Sequence, residues 1–169
     1  RLDAKFTEEA ILEKIAKKAG KKDGSGVKIR GIEDIMVRFG KCCNPLPGDD
    51  IIGYITRGRG VTVHLSNCPT VLHSVSERTI DVEWDIEDKS MHLVRIRVVC
   101  ADKKGLLAAM SSSIALSDAN IINAQIHTTQ EKKAVSIFEV EISDLKHLQN
   151  IINSMQNIKG VINVERLRT

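Results

Sequence analysis

Four residues of this 169-residue chain have the types and spacing of a metal site: Cys42 and Cys43 in KCCNPLPGDD, and His64 and Cys68 in HLSNC. Thiolates and an imidazole suit the borderline-soft Zn(II) ion, which takes four such donors tetrahedrally and contributes enough free energy to hold a small domain together. The His-x3-Cys spacing supplies one local bite. The adjacent pair is the unusual half, because neighbours on a regular strand point to opposite faces and would not reach one ion. Asn44-Pro45, directly after them, offers a turn that could bend the chain enough. Other chemistry fits the same residues: buried thiols packing as small hydrophobes, a strained vicinal disulfide, or a nucleophilic thiol paired with His64. A thiol or metal enzyme would also need an acid-base group, and only Asp49 or Asp50 offers one. Cys100 ends an apolar strand and is expected in a core.

Two further clusters could bind something. Arg57-Gly58-Arg59-Gly60 reads as a hairpin tip, where glycines take positive φ and two guanidinium forks are placed to grip phosphates. If the fold brings Lys41 and Arg38 near this tip, an RNA-backbone contact stands beside the plainer reading of a solvated turn. Asp102-Lys103-Lys104-Gly105-Leu106 opens a helix, whose free N–H groups can bind a carboxylate; Asn120 at the next strand could add an amide. The simpler alternative is that Asp102 caps that helix and Gly105 packs.

The elements that must position these groups follow from pattern. Thr7, followed by Glu8 and Glu9 and an apolar stripe at 11, 12, 15, 16 and 19, predicts a helix running to Gly20, hinged by KKDGSG at 21–26. A small Gly-rich β-domain follows, with strands at 33–39, 51–56, 61–65 and 79–85 and a short helix after Pro69. Acidic DIEDKS at 85–90 is a second linker. The pattern then changes to long elements. A strand from Leu93 alternates Val94, Ile96 and Val98 with Arg95 and Arg97, and a helix spans Lys104 to Asp118. A strand at 120–129 carries Ile122, Ala124 and Ile126 inward, and another at 133–142 carries Phe138, Val140 and Ile142 inward. A helix from Asp144 to about Asn157 and a strand at 161–167 complete a βαββαβ order, the ferredoxin-like plan. The fold class is therefore α+β. The RNA-reading version of this plan needs exposed aromatics on the central strands; only Phe138 is available, and it faces inward.

Composition bounds the function. With 42% hydrophobic and 28% charged residues the chain is an ordinary globular one, not a disordered one. A net charge of +3 is too small to make the whole surface a nucleic-acid footprint. Basic residues gather instead at 1–31, nine against five acids, while 77–88 holds six acids and one Arg. No long apolar run and no signal sequence at RLDAKFTEEA predict a cytoplasmic chain with no membrane partner. The start at Arg1 suggests a piece of something longer, with catalysis elsewhere.

The segment KCCNPLPGDDIIGYITRGRGVTVHLSNCP resembles the conserved-cysteine, zinc-finger-like region of RelA/SpoT homologues, the bacterial stringent-response enzymes that make and degrade (p)ppGpp. DKKGLLAAMSSSIALSDANI, with the βαββαβ pattern around it, resembles the ACT domain that ends those proteins. The resemblance implies a linker helix and hinge at 1–26, a conserved-cysteine domain at 27–88 and an ACT domain at 91–169, with no catalytic residue in the chain. It implies a structural Zn(II) on Cys42, Cys43, His64 and Cys68. It also implies docking on the ribosome, against rRNA beside the A-site tRNA, which would engage Lys41, Arg57 and Arg59 and relay amino-acid starvation to the enzyme's own catalytic half. An ACT domain further implies an amino-acid site, here Asp102, Gly105, Leu106, Asn120 and Ile121, for a branched-chain amino acid, and a homodimer through that domain. Asn67 departs from the family pattern, where an acid is expected beside the last cysteine. A free-standing ACT-type amino-acid-binding regulator would explain the second domain and leave the first without a purpose.

Overall fold

The computed structural model describes residues 26–29, 35–74 and 76–168, and the expected helix at 7–20 with its hinge lies outside them. The chain divides into two units. Of the described residues, one unit comprises those up to Pro45 together with those in 49–89; the other comprises Ser90–Arg168 and a three-residue contribution, Leu46–Gly48. Among the described residues no helix is long and apolar enough to cross a membrane.

In the first unit, β2 (Val37–Phe39), β3 (Ile51–Thr56), β4 (Gly60–Leu65) and β5 (Thr79–Ile80) form one sheet in the order β2-β4-β3-β5. β3 and β4 are the expected hairpin, and β2 joins β4 in parallel, Phe39 beside Val63. The single strand expected at 79–85 is two. β5 pairs with β3, whereas β6 (Val82–Trp84) leaves to pair with β1 (Val27–Ile29), a strand the sequence pattern did not announce. Asp81 stands at the break, exposed between the buried Ile80 and Val82. Ile55, Val61, Val63, Ile80 and Val82 make the main core of this unit. Gly53 sits among them because a β-carbon there would approach Ile80, Val82 and Val61 to within 2.8–2.9 Å. A second cluster, Cys43, Leu65, Cys68 and Val71, gathers around α1 (Pro69–Leu72).

The second unit realises the expected order. β7 (His92–Ala101), α2 (Leu106–Leu116), β8 (Asn120–Thr128), β9 (Lys133–Ile142), α3 (Leu145–Gln156) and β10 (Val161–Leu167) build one antiparallel sheet in the order β10-β7-β9-β8. Alternation on β7 and β9 holds: Val94, Ile96, Val98, Phe138, Val140 and Ile142 are fully buried. Leu106, Met110 and Ile114 from α2 and Leu148, Ile151 and Met155 from α3 complete that core. Each such side chain contributes about 1.5–3 kcal/mol by leaving water. Asp144 caps α3, its carboxylate accepting the His147 N–H at 2.8 Å. By contrast α2 starts at Gly105 in the left-handed region, φ +88°, with no side-chain cap. Asp102 therefore does not cap the helix as the simpler sequence reading had it.

The expected burial along β8 also fails. Ile122, Ala124 and Ile126 of β8 are not buried; Ile122 and Ile126 are 52% and 41% exposed. β8 is an edge strand, and a bulge between Ile121 and Asn123 takes Ile122 out of the alternation. Ala124 and Ile126 do pair with the inward Phe138 and Ser136, but at the sheet margin that orientation does not bring burial.

Candidate metal centre

Gly40 begins the turn that brings the adjacent cysteines to one side. Its carbonyl accepts from Cys43 N–H at 3.3 Å and Asn44 N–H at 2.8 Å, and Asn44 takes a positive φ of 44°. Cys42 and Cys43 thus lie in a turn rather than a strand, and the opposite-face problem does not arise. His64 comes from the inward end of β4, and Cys68 from the turn that enters α1, its N–H bonded to the Leu65 carbonyl at 2.9 Å.

The donor atoms of Cys42, Cys43, His64 and Cys68 all lie within 4.8 Å of one another. Cys42 Sγ is 3.3 Å from His64 Nδ1, 3.5 Å from Cys68 Sγ and 4.0 Å from Cys43 Sγ; Cys43 Sγ is 3.5 Å from the same nitrogen. A tetrahedral ion with metal–sulfur bonds of about 2.3 Å spaces its sulfurs about 3.8 Å apart, so the four donors fit such an ion. The structure brings together all four residues singled out in the sequence. Cys43, His64 and Cys68 are buried, and Cys42 is exposed.

The electrostatics differ from thiol to thiol. Burial pushes the Cys43 thiol up to about 12, against the Leu65 N–H that its sulfur accepts at 3.4 Å. Burial also raises Cys68, but the Thr70 N–H and hydroxyl, with the Cys42 and Cys43 thiols, outweigh it and hold Cys68 below its ordinary value. Burial lowers His64, which favours the neutral imidazole a metal needs. A protonated Cys43 beside a neutral His64 is a poor acid-base couple and a good ligand pair once an ion replaces the thiol proton. Sequence reasoning missed Gly40, the Leu65 N–H and Thr70. The glycine directly before Lys41-Cys42-Cys43 was the available signal for the first; the other two are backbone and neighbour effects without one.

The remaining candidates are dispersed. Arg57 and Arg59 are exposed at the β3–β4 turn, where Gly58 and Gly60 take φ of +73° and +88°. Lys41 is exposed too, but beside the cysteines at the far end of β4, about 13 Å of strand away. Asp102 and Gly105 are exposed before α2, and Leu106 is buried. Asn120 and Ile121 open β8 after the other end of α2, about 16 Å of helix away. Asn120 Nδ2 donates to Glu141 at 3.1 Å, and Ile121 packs half-buried against the core. Gly105 and Asn120 thus flank opposite ends of α2.

Comparison with known proteins finds two domain families along the chain. Residues 27–85 match the RelA/SpoT RIS domain and residues 88–166 the ACT domain. Over 148 residues the chain is 45% identical to a GTP pyrophosphokinase of Myxococcus xanthus, covering 88% of this chain and 20% of that protein. It is 37% identical over 147 residues to the bifunctional (p)ppGpp synthase/hydrolase RelA of Mycobacterium tuberculosis, covering 86% and 20% respectively. The crystal structure of the ACT domain from GTP pyrophosphokinase of Chlorobium tepidum is 23% identical with a TM-score of 0.42, covering 46% of this chain and 100% of that one. The chain spans about a fifth of the length of these full-length relatives. With both domain types matched in tandem, and with relatives aligned across the two, the chain carries a RelA/SpoT RIS domain followed by an ACT domain.

Proposed function

We propose that this chain is the non-catalytic regulatory region of a (p)ppGpp synthetase or synthetase/hydrolase, acting in the cytoplasm during the stringent response. The observation that carries the reading is the continuous alignment, through both domains, with a protein named GTP pyrophosphokinase. The RIS match ahead of the ACT domain disfavours a free-standing amino-acid regulator. In this reading Cys42, Cys43, His64 and Cys68 hold a structural Zn(II) that fixes the turn at Gly40 to β4 and α1. The exposed Arg57 and Arg59 contact ribosomal RNA beside the A-site tRNA, with Lys41 as a separate contact. The ACT domain passes the docked state to the enzyme's catalytic half, pairs with a second copy, and takes a branched-chain amino acid at the Asp102–Leu106 turn.

Two measurements test it. Elemental analysis of chain prepared without chelator should find about one zinc per chain; folded protein without metal would remove the zinc platform. Ribosome binding should weaken in the Arg57→Ala/Arg59→Ala double variant, with a shallower dependence on salt. Unchanged binding would exclude the hairpin tip as the RNA contact.

A further inference from the structure

We propose that the metal centre is also an oxidation site, in which a peroxide joins Cys42 to Cys68 and so dismantles the ligand set. The inference rests on the reading of these residues as a metal site and adds its regulation.

Access is one-sided. Cys42 is exposed, whereas Cys43, His64 and Cys68 are 3%, 7% and 2% exposed. An oxidant arriving from solvent therefore meets the Cys42 sulfur first. The partner sulfur is set by distance: Cys68 Sγ lies 3.5 Å away and Cys43 Sγ 4.0 Å. A bond to Cys68 closes that gap to about 2.05 Å between residues on separate turns. A bond to Cys43 would close a small ring through the intervening peptide and strain it. Cys43 is also held in place, its sulfur accepting from Leu65 N–H at 3.4 Å and directed at the Gly40 carbonyl at 3.8 Å.

The chemistry balances with hydrogen peroxide as oxidant. The Cys42 thiolate attacks one peroxide oxygen, the O–O bond breaks, and the departing hydroxide takes a solvent proton to become water; Cys42 is left as a sulfenic acid. The Cys68 thiolate then attacks the Cys42 sulfur and expels its hydroxyl, which leaves with a second proton as water. Each sulfur gives up one electron and the peroxide accepts both. Cys43 and His64 remain as donors, and two donors do not retain an ion that four held.

The test uses the whole 169-residue chain loaded with zinc and treated with hydrogen peroxide. Released zinc is read with a chromophoric chelator and the sulfur link by peptide mapping with fragmentation. We expect about one zinc released per Cys42–Cys68 link, reversed by a dithiol reductant with added zinc. Cys100→Ser should leave both signals unchanged, because Cys100 is buried in the second unit's core. Cys42→Ser should abolish the link, and the same comparison in metal-free chain keeps the test valid if that variant binds zinc poorly. Zinc retained under peroxide, a Cys42–Cys43 link, or Cys42 oxidised with no link would each overturn the inference. A chain that never takes up zinc would instead overturn the metal reading, and link formation in that metal-free chain would still decide the sulfur chemistry.

Discussion

Gly40 has no side chain because His64 occupies the space one would need. A β-carbon there would collide with His64 Nδ1 and lie 3.1 Å from Cγ of the same ring, and Gly40 cannot back away, because its own N–H donates to the Val63 carbonyl at 2.8 Å. Gly40→Ala should push the imidazole away from the sulfurs and weaken zinc binding about 10-fold or more, as loss of a ligand-orienting group does. Chelator competition measures this; an unchanged affinity would mean that the ring is positioned by something else. Cys100 gives a second prediction at this scale. Burial in the sheet core, then the charge of Asp102, raises its thiol above the ordinary 9.0. The folded state holds that proton more tightly than the unfolded state, so the associated stability is present below about pH 9 and lost as pH rises through the higher folded value. The urea midpoint should fall from about pH 8 to about pH 10.5 more steeply in the parent than in Cys100→Ala. Parallel slopes would refute it. The clustering of Cys42, Cys43, His64 and Cys68 was legible because their types are chemically rare; Gly40 was not, because its reason for being glycine lies across the sheet, on His64.

At the scale of elements, legibility followed coverage. β7 and β9 lie in the middle of their sheet, so their period-two patterns translate directly into burial. β8 has the same apolar types at the edge, where alternation fixes a side chain's direction and says nothing of what covers it. The 79–85 run failed for a related reason: one uninterrupted β-type stretch serves two sheets, and the switch at Asp81 depends on partners far away in sequence. Helix α3 was legible as a helix from Asp144, but not the capping by that residue or the link made by His147. That ring accepts Ser143 N–H at Nδ1, 3.2 Å away, and donates from Nε2 to the Ser117 carbonyl at 2.6 Å, joining the start of α3 to the end of α2. His147→Ala removes both bonds and should lower the unfolding free energy by about 1–2 kcal/mol, leaving zinc content unchanged. Urea titration checks the first half and metal analysis the second; loss of metal in this variant would contradict the assignment of the two sites to separate units.

On the scale of the whole molecule, the two units are not two consecutive stretches of chain. Leu46, set between prolines in a run that reads as a pure turn signal, is fully buried in the core built on β7, β9, α2 and α3. Pro47 supplies its carbonyl to Leu145 N–H at 2.8 Å, satisfying one of the orphan donors that open α3, while Asp144 satisfies another. Gly48 passes close by at φ +104°, where a β-carbon would stand 3.1 Å from that of Leu145. No periodicity could have announced this, because a single leucine in a Pro-Leu-Pro-Gly run has no pattern to join. The second unit therefore depends on residues that precede its own first strand by more than forty positions. Leu46→Ala should cost that unit about 2–5 kcal/mol, the range for emptying a buried leucine site. A fragment beginning at Ser90 lacks Leu46, the Pro47 carbonyl and Gly48 together, and should unfold at lower urea than the same residues in the full chain. Adding Leu46→Ala to the full chain should recover most of that difference, since the leucine is the largest of the three losses. Equal midpoints for fragment and full chain would show that the sheet and its two helices close their core without the inserted loop.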